Sequence, residues 1–549
     1  VEFAGLVGFD DFMDVRVEGI EVNINTSSIP GLPPALAVLP MPYIDFTQNR
    51  IGIDGLEEIV ELLELVYPGG DLGLLGELIG PVFGPNGLEI STGREGRSIF
   101  LDFDDEIIQA KAEYIHGDIL GVLQIAGSLG FTKRGAEEVV TANGNTRTVT
   151  SLALGINNVY AFAGVGGYWE VDPETNRVDG TRRNENAIGV AIDNLKIGAV
   201  MMLDTRLVDP GVFFAVDASL DQAGLVGTGD FLTMEVRDLL FQLNQVVSLD
   251  MSVVDFSRST YRVNDDGAVD RGVLLPGEEL EEGFQRGYFL DTGDVANPII
   301  LMFDERLVRI QGEAEFNLMD IAMLDGAVAM ELTDQSFTLF VDASADIAGF
   351  IQGEAQALVV IDSRGLAAQA TINDLFIGVP GMSLSVDILQ LTVNTTGQVI
   401  EYEVPDEFQI SRGLPPIISI SNIPPGSSSP ADVYFALIGS GRLELLGLVS
   451  LEGAFSILIS FEGSALRTVF NLNMTLDMPL LEPLSAAGTL GIIVGENGGI
   501  YGSVQLGAPT GSKIMDLGPV LISGNVLFQI NTTNQGQEVL ALEIDENGD

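Results

Sequence analysis

The sequence contains no cysteine, a single histidine (His116) and a single tryptophan (Trp169) among 549 residues. Without cysteine the chain has no disulfides, no thiolate nucleophile and no thiolate metal site. A nucleophile–His–acid triad would depend on His116 alone, and a histidine-rich zinc site cannot be assembled. In AEYIHGDILG, we expect His116 to be a partly exposed strand or turn residue. The sequence therefore predicts a protein that is not an enzyme.

Basic residues are also scarce, because 25 Lys and Arg oppose 79 Asp and Glu and give a formal net charge of −54. Such a surface repels phosphate backbones and anionic lipid head groups, so nucleic acid binding and membrane insertion are not expected. Salt shortens the reach of this self-repulsion, and divalent cations can bridge carboxylates. The charge therefore favours a saline or calcium-containing extracellular or cell-surface setting.

Long hydrophobic runs are missing as well, since no stretch reaches the roughly 18 uninterrupted apolar residues of a membrane-spanning helix. No signal peptide is visible and the chain opens with Val1, so we expect a processed product or a fragment. The hydrophobic content of 46% is still sufficient for a sizeable core, which argues against disorder.

What the sequence does contain is a period-two alternation of apolar and polar residues, in short runs broken by Gly, Asn-Gly or Asp-Gly. Examples are Val526 to Ile530, Leu384 to Val393 and Phe337 to Val341. This pattern is typical of half-buried strands and hairpins. It predicts an all-β fold, an elongated antiparallel repeat array shaped as a sandwich or flattened tube. A parallel β-helix is the alternative, but its rungs of about 20 to 29 residues are much shorter than the repeats found here.

One region departs from this alternation. Apolar residues recur at helical spacing in GLEEIVELLELVYPGGDLGLLGELIGPVF, which predicts helices near 55–67 and 72–82. We expect this helical insert to cap or plug one end of the β structure, because terminal elements of repeat arrays are atypical.

Internal repetition appears when the segments 99–131, 299–332 and 433–459 are aligned. Each contains two strands and then a glycine that opens the next strand, at Gly127, Gly326 and Gly453, as expected where the backbone bends tightly or approaches another chain segment. The repeats end on a strand with a terminal Asn, and the N-terminal part carries a remnant of this ending; the residues are Asn25, Asn244, Asn394 and Asn531. The pattern predicts a partial unit at 1–97 with the helical insert, then β units at 98–296, 297–431 and 432–549. The first full unit also has a loop insertion containing EVDPETNRVDGTRRNEN.

The segment Arg364 to Gly397, RGLAAQATINDLFIGVPGMSLSVDILQLTVNTTG, resembles the repeats of giant bacterial surface or extracellular proteins of the "large repetitive protein" type. The matching residues are Gly365, Leu366, Ala367, Pro380, Gly381, Asn394, Thr395 and Thr396. The sequence departs from that pattern where Ser385 or its neighbours replace an expected glycine, and where the first unit reads Leu243-Asn244-Gln245 in place of the Asn-Thr-Thr ending. The resemblance implies a long extracellular β array and brings no catalytic residues.

Clustered acidic residues make calcium the one expected cofactor, because hard cations prefer several oxygen ligands from flexible acidic loops. The C-terminal cluster resembles the first half of an EF-hand loop but ends before the bidentate Glu. The alternative is a set of solvated hairpin turns, since Asp-Gly sequences supply the positive φ angles that tight turns require. The candidate ligands are Asp102, Asp104, Asp105 and Glu106; Asn264, Asp265, Asp266 and Asp270; and Asp545, Asn547 and Asp549.

These observations favour a structural or adhesive component of a bacterial surface layer, matrix or filament, built by stacking or strand pairing with neighbouring copies of itself. A cell-surface polysaccharide is a further candidate partner. The first alternative is a calcium-dependent carbohydrate-binding module or a carbohydrate-active enzyme using Asp/Glu pairs, although aromatic residues make up only 7% of the chain. A carrier of apolar ligands is the second, because strands such as ALGINNVYAFAGVGG are apolar on both faces. The Asn-Thr-Thr endings are also formal glycan acceptors, but an Asn that begins a turn explains them equally well.

Overall fold

A computed structural model describes most of the chain between residues 106 and 507, together with shorter pieces on either side. Of the described residues, 69% lie in strands and 3% in helices. The predicted all-β, antiparallel fold is confirmed. The predicted helices near 55–67 and 72–82 lie outside the described residues. In full, the structure describes residues 3–5, 13–26, 43–45, 50–52, 88–91, 98–101, 106–204, 206, 210–264, 268–427, 429–462, 465–478, 483–494, 498–507, 515–516, 521–522 and 525–537.

The strands of the first part of the chain are short before residue 106 and reach 20 residues after it. Two 3-10 turns, Gly229–Phe231 and Phe256–Arg258, lie among them. The strands are β1 (Phe3–Gly5), β2 (Asp14–Glu18), β3 (Glu21–Asn25), β4 (Tyr43–Asp45), β5 (Arg50–Gly52), β6 (Leu88–Ser91), β7 (Ser98–Leu101), β8 (Ile107–Ile119), β9 (Leu123–Val140), β10 (Thr146–Val165), β11 (Ile188–Asp204), β12 (Gly211–Val226), β13 (Leu232–Val247), β14 (Ser259–Val263), β15 (Val269–Val273), β16 (Gln285–Arg286), β17 (Tyr288–Leu290) and β18 (Ile299–Leu301).

The second part of the chain consists mainly of strands of 9 to 15 residues and contains the helix α1 (Asp406–Arg412). Its strands are β19 (Leu307–Leu318), β20 (Ala322–Thr333), β21 (Ser336–Ile347), β22 (Ile351–Asp362), β23 (Gly365–Val379), β24 (Met382–Asn394), β25 (Ile400–Glu403), β26 (Ile417–Ile420), β27 (Val433–Leu445), β28 (Val449–Glu462), β29 (Ala465–Asp477), β30 (Leu484–Val494), β31 (Gly499–Gly507), β32 (Met515–Asp516), β33 (Leu521–Ile522) and β34 (Asn525–Asn531). No helix among the residues described here has the length and apolar character needed to cross a membrane.

The chain divides into two compact units. Unit 1 comprises Val1–Thr228 with Arg237–Ile310, and unit 2 comprises Gly229–Val236 with Gln311–Asp549. Both are antiparallel meanders, in which each strand pairs with the next one along the chain. The predicted repeat boundaries divide the chain differently, and they stay a prediction.

In unit 1, strands β8 to β12 form one ladder, and β2 and β3 both pair with β8. The segment 248–306 packs on one face of this ladder. Its side chains meet the buried Met202 and Phe213 of the sheet, and together they form the core of the unit. The segment approaches closely because Gly130, Gly155 and Gly198 stand side by side on adjacent strands and leave no side chains in its path.

In unit 2, strands β20 to β24, β27 to β31 and β34 form an antiparallel ladder. Here the segment 395–431, which contains α1, supplies the covering layer. Phe408 of α1 packs with the fully buried Phe340 of β21 at a ring-centroid distance of 6.4 Å. The segment therefore takes the place in unit 2 that 248–306 takes in unit 1.

The three segments aligned from the sequence form hairpins with tips of the same design, β8–β9, β19–β20 and β27–β28, and the tip 348–350 shares this design. Their tips are 120–122, 319–321 and 446–448, and each tip begins with two residues of positive φ. In each, a backbone hydrogen bond of 2.8 to 3.0 Å closes the tip. The glycines aligned from the sequence lie at the same offset beyond these tips.

The Asn-Thr-Thr endings at 394–396 and 531–533 build the same turn. In both, the Asn Oδ1 accepts hydrogen bonds from the backbone N–H and the hydroxyl of the second Thr, at 2.9 and 2.7 Å. The first Thr hydroxyl accepts from the backbone of an earlier strand, Leu366 N in one copy and Ile500 N in the other, at 2.8 Å in each. The motif therefore has a structural role: its hydrogen bonds connect the end of one strand to the beginning of an earlier strand.

Glycosylation does not explain the motif at Asn394. The residue is 1% exposed, and its Nδ2 donates to the carbonyls of Gln398 and Ser421 at 2.8 and 3.0 Å. A glycan on Nδ2 would displace these bonds and would have no space. The turn interpretation is therefore the one that fits the folded chain at this position.

Candidate functional site: an apolar sheet face

Strand alternation in unit 2 places nearly all apolar side chains of its ladder on one face. Residues paired across the ladder share a face, so each register row shows what that face carries. One row is Gly326, Ala343, Ala355, Ile372, Leu389, Gly439, Phe455, Leu472, Gly488, Val504 and Phe528, and the next is Val328, Val341, Ala357, Ala370, Leu391, Leu437, Ile457, Phe470, Leu490, Gly502 and Ile530. We call the surface formed by these rows and the parallel rows beside them the apolar face.

Charge is absent from the apolar face along the described strands. Its remaining rows contain only Ala, Val, Leu, Ile, Met, Phe and Gly, with Thr468 as the one polar side chain. Two mid-strand bulge residues, Asp374 and Asp387, shift the alternation, so that the apolar residues on both sides of the bulge stay on the same face. The bulges therefore preserve the apolar face over the whole strand length.

The side chains on the two faces of the ladder differ in solvent exposure. No side chain of the apolar face is buried, and Leu391 and Phe470, in the middle of it, are each 38% exposed. The buried side chains of the same strands all belong to the opposite face; they are Ala327, Ala329, Phe340, Leu358, Val360, Ala367, Thr392, Asn394, Tyr434, Ala436, Ser460, Val469, Thr489 and Tyr501. Among the residues that the structure describes, nothing covers the apolar face.

The covering segment 395–431 packs on the opposite face of the ladder. This face carries acidic residues that hold α1 in place: Arg412 Nε donates to Asp342 Oδ2 at 2.6 Å and its Nη1 pairs with Asp325. Tyr402 of β25 also stacks on Phe340 at 5.4 Å. This covering segment is thus fixed to the mixed polar face and leaves the apolar face open.

Glycines on the apolar face mark tight coiling of the strands. A Cβ added at Gly441, Gly453 or Gly488 would lie 2.3 Å from a carbonyl oxygen of the neighbouring strand. Only glycine fits at such positions.

Unit 1 presents a related surface on its own ladder. Leu152, Met201 and Phe214 are paired on adjacent strands, on the face away from the buried Met202 and Phe213. Leu152 and Phe214 are exposed large apolar residues. Because Lys133 pairs with Leu152, this surface, unlike the apolar face of unit 2, carries a charged side chain.

The predicted calcium ligands are only partly described. Glu106 is buried and accepts from Lys133 Nζ at 2.6 Å. Asn264 donates to Asp270 at 3.0 Å, and Asp270 is also paired with Arg262. Within the described ranges no group of three or more His, Asp or Glu is arranged to hold a metal ion. The other candidates, Asp102, Asp104, Asp105, Asp265, Asp266, Asp545, Asn547 and Asp549, lie outside the described residues, and calcium binding stays a prediction.

The sequence indicated that His116 is partly exposed, and this prediction is wrong. The histidine lies in β8 opposite Arg16 of β2 and is 3% exposed, because the pairing of β2 against β8 covers it, a contact between segments far apart in the chain. Burial lowers the pKa of His116 and the neighbouring Arg16 lowers it further, while Asp14 and Asp118 act in the opposite direction.

This single histidine makes a pH dependence measurable. The folded chain holds His116 neutral, so the unfolded chain takes up the proton first as the pH falls below about 6.5. We expect the free energy of unfolding to decrease between about pH 6.5 and the lower pKa of the folded state, and His116→Gln to remove that decrease. Denaturant titrations at several pH values, followed by Trp169 fluorescence, measure it. Identical pH profiles for both proteins would contradict the expectation.

Neither a scan against protein-family models nor a search of curated proteins finds a match to this chain.

Proposed function

We propose that the protein binds extended aliphatic chains, such as the acyl chains of uncharged or zwitterionic lipids, along the apolar face of unit 2. The observation that carries the proposal is a charge-free face of eleven paired strands with no covering layer among the described residues. With strands about 4.8 Å apart, such a face spans on the order of 1,000 Å². That area exceeds the roughly 300–600 Å² of the largest apolar patch on a typical monomer.

The chemistry of the face fits an aliphatic and uncharged ligand. Its rows are dominated by Leu, Ile, Val and Ala, so it offers dispersion contacts along its length and few ring surfaces for stacking. Apart from Thr468, no side chain on the described face could form a hydrogen bond to a buried charge, and burying such a charge would cost several kcal/mol. The acidic surroundings, at a net charge of −54, further disfavour anionic ligands.

A charge placed in the middle of the face tests the proposal. Leu391→Glu should weaken binding of a short-chain, fluorescently labelled phosphatidylcholine about tenfold or more, because the carboxylate would have to be desolvated against the acyl chain. Since Leu391 is exposed, we expect its replacement to change the free energy of unfolding by about 0.5 kcal/mol or less. Fluorescence titration and denaturant unfolding measure the two quantities.

Gln390→Glu is the matched control, because Gln390 adjoins Leu391 in β24 and points to the opposite face. It introduces the same charge and should leave lipid binding unchanged. Equal binding by wild-type and Leu391→Glu protein would overturn the proposal, as would a wild-type protein that does not bind the probe.

Structural assembly through neighbouring copies is the second candidate, and the size of the open apolar face favours it. Two copies packed through their apolar faces would bury on the order of 2,000 Å², as in permanent homodimers. Sedimentation of the wild-type protein distinguishes the candidates. A dimer that does not bind the probe, and that Leu391→Glu converts to a monomer, would favour assembly over lipid binding.

A further inference from the structure

The hairpin tips at one edge of the unit 2 ladder form a continuous line. Backbone hydrogen bonds link each tip to the next: Met319 N donates to Phe231 O at 3.1 Å, Ala348 N to Ile321 O at 2.5 Å, and Leu446 N to Gly381 O at 2.7 Å. Large apolar side chains recur along this line, with Asp320 and several glycines between them. We call Phe231, Met319, Ile321, Phe350, Leu446 and Leu448 the apolar rim.

The rim residues protrude into solvent. Leu446 is 74% exposed, Phe231 60% and Phe350 57%, which is much more than for residues in the middle of the apolar face. The turns at the other end of the same strands are polar, with Thr333-Asp334-Gln335 between β20 and β21 and Ser363-Arg364 between β22 and β23. The two edges of the ladder therefore differ in chemistry.

Three of the apolar residues at the tips have a backbone conformation that is unfavourable for their side chains. Met319, Ala348 and Leu446 have φ angles of 51° to 55°, a region that glycine and asparagine occupy at lower cost. Local turn stability would therefore favour Asn or Gly at these positions. The chain instead places apolar side chains where they are both exposed and conformationally costly, which points to a selected contact.

We propose that the apolar rim inserts into the surface of a lipid bilayer with zwitterionic or uncharged head groups. The inference rests on the proposed function, since the rim adjoins the apolar face through Val379, Met382 and Leu445, and a bilayer would supply the acyl chains that the face binds. Single apolar side chains spaced along a line can each enter the boundary between head groups and acyl chains. A flat protein partner would instead favour a broad contiguous patch.

Charge selects the kind of bilayer. At a net charge of −54 the protein is repelled by anionic head groups. Of the six rim residues, Phe350, Leu446 and Leu448 have only apolar or glycine neighbours in the sequence, whereas Asp230 adjoins Phe231, and Asp320 adjoins Met319 and Ile321. The sequence led us to expect no membrane partner, but that expectation came from the repulsion of anionic head groups. It does not apply to a zwitterionic surface.

The experiment is co-flotation of the full chain with phosphatidylcholine vesicles. Replacing three rim residues together, Phe231→Gln, Phe350→Gln and Leu446→Asn, should lower vesicle binding about tenfold or more, because each removes apolar surface that would be buried in the bilayer. Asn is chosen at 446 because it tolerates positive φ. Ile410→Gln is the matched control, since Ile410 is 86% exposed on α1 and outside the rim; it should bind vesicles as the wild type does. Adding phosphatidylglycerol to the vesicles should weaken binding.

The short-chain phosphatidylcholine probe separates this proposal from the proposed function. The rim variant should lose vesicle binding and retain binding of the dispersed probe, whereas Leu391→Glu should lose the probe. Wild-type protein that fails to float with phosphatidylcholine vesicles would overturn the rim proposal even if it binds the probe. Equal flotation of the wild type and the rim variant would overturn it too, and so would a rim-dependent dimer that ignores vesicles.

Discussion

Gly155→Val is expected to destabilise unit 1 by about 3 kcal/mol or more, because the space that a side chain would need is occupied by backbone. A Cβ at Gly155 would lie 2.3 Å from Asp291 O and 2.8 Å from Asp291 C. No flexible side chain can move aside there. The substitution must either bend β10 or lift the covering segment from the sheet, and lifting it would expose Leu290 and Leu301, both fully buried.

The position of Gly155 in register increases the expected effect. Gly130 and Gly198 flank it on the neighbouring strands, and a Cβ at Gly130 would lie 2.1 Å from the same Asp291 O. The three glycines therefore form one contact surface for the covering segment. A sideways shift of the segment would not make room for a new side chain. Trp169, the sole tryptophan and a buried residue of unit 1, reports the unfolding of this unit by fluorescence.

Gly117→Ala is the control for this prediction. Gly117 lies in β8 of the same unit, and the nearest atom to its added Cβ is Ile125 Cγ2 at 3.4 Å, an ordinary contact. Its replacement should change the free energy of unfolding by about 0.5 kcal/mol or less. Similar midpoints for Gly155→Val and Gly117→Ala would show that the covering segment does not rest on the glycine row.

The strands could be predicted from the sequence, because period-two alternation is a local property. Val526 to Ile530 lies within β34, and Leu384 to Val393 lies within β24. The Asn-Thr-Thr turn was also readable, since an Asn that starts a turn forms its bonds within a few residues. These features need no knowledge of distant segments.

The open state of the apolar face could not be predicted in the same way. Alternation shows that a face is apolar, but the residues that cover it lie elsewhere in the chain. The bulges at Asp374 and Asp387 add a second difficulty, because one extra residue reverses the alternation. The sequence NDLFIGVPGMSLSVDILQ gives no local sign of where the two extra residues lie. His116 was misjudged for a related reason, since its burial depends on a strand about 100 residues earlier in the chain.

Arg147→Met is expected to destabilise unit 1 by about 3–5 kcal/mol, because it removes a buried arginine partner of the fully buried Asp204 carboxylate. Arg147 is 3% exposed, and its Nη1 donates to Asp204 Oδ2 at 3.0 Å while its Nη2 donates to Asp250 Oδ2 at 2.5 Å. Arg206 also contacts Asp204 at 3.0 Å. Methionine fills much of the same volume, so the loss is electrostatic and not a cavity.

Two further variants decide whether the effect belongs to the buried charge. Arg364 is 45% exposed and pairs with Asp362. Arg364→Met removes this pair and should lower the free energy of unfolding by about 1 kcal/mol or less. Adding Asp204→Asn to Arg147→Met should restore part of the lost free energy of unfolding, because the double variant no longer buries a carboxylate that has lost its Arg147 partner. Chemical denaturation followed by Trp169 fluorescence measures the Arg147 and Asp204 variants, and circular dichroism measures the Arg364 variant in unit 2. If the double variant is less stable than Arg147→Met by the full cost of Asp204→Asn alone, the two residues are independent and the network does not act as a unit.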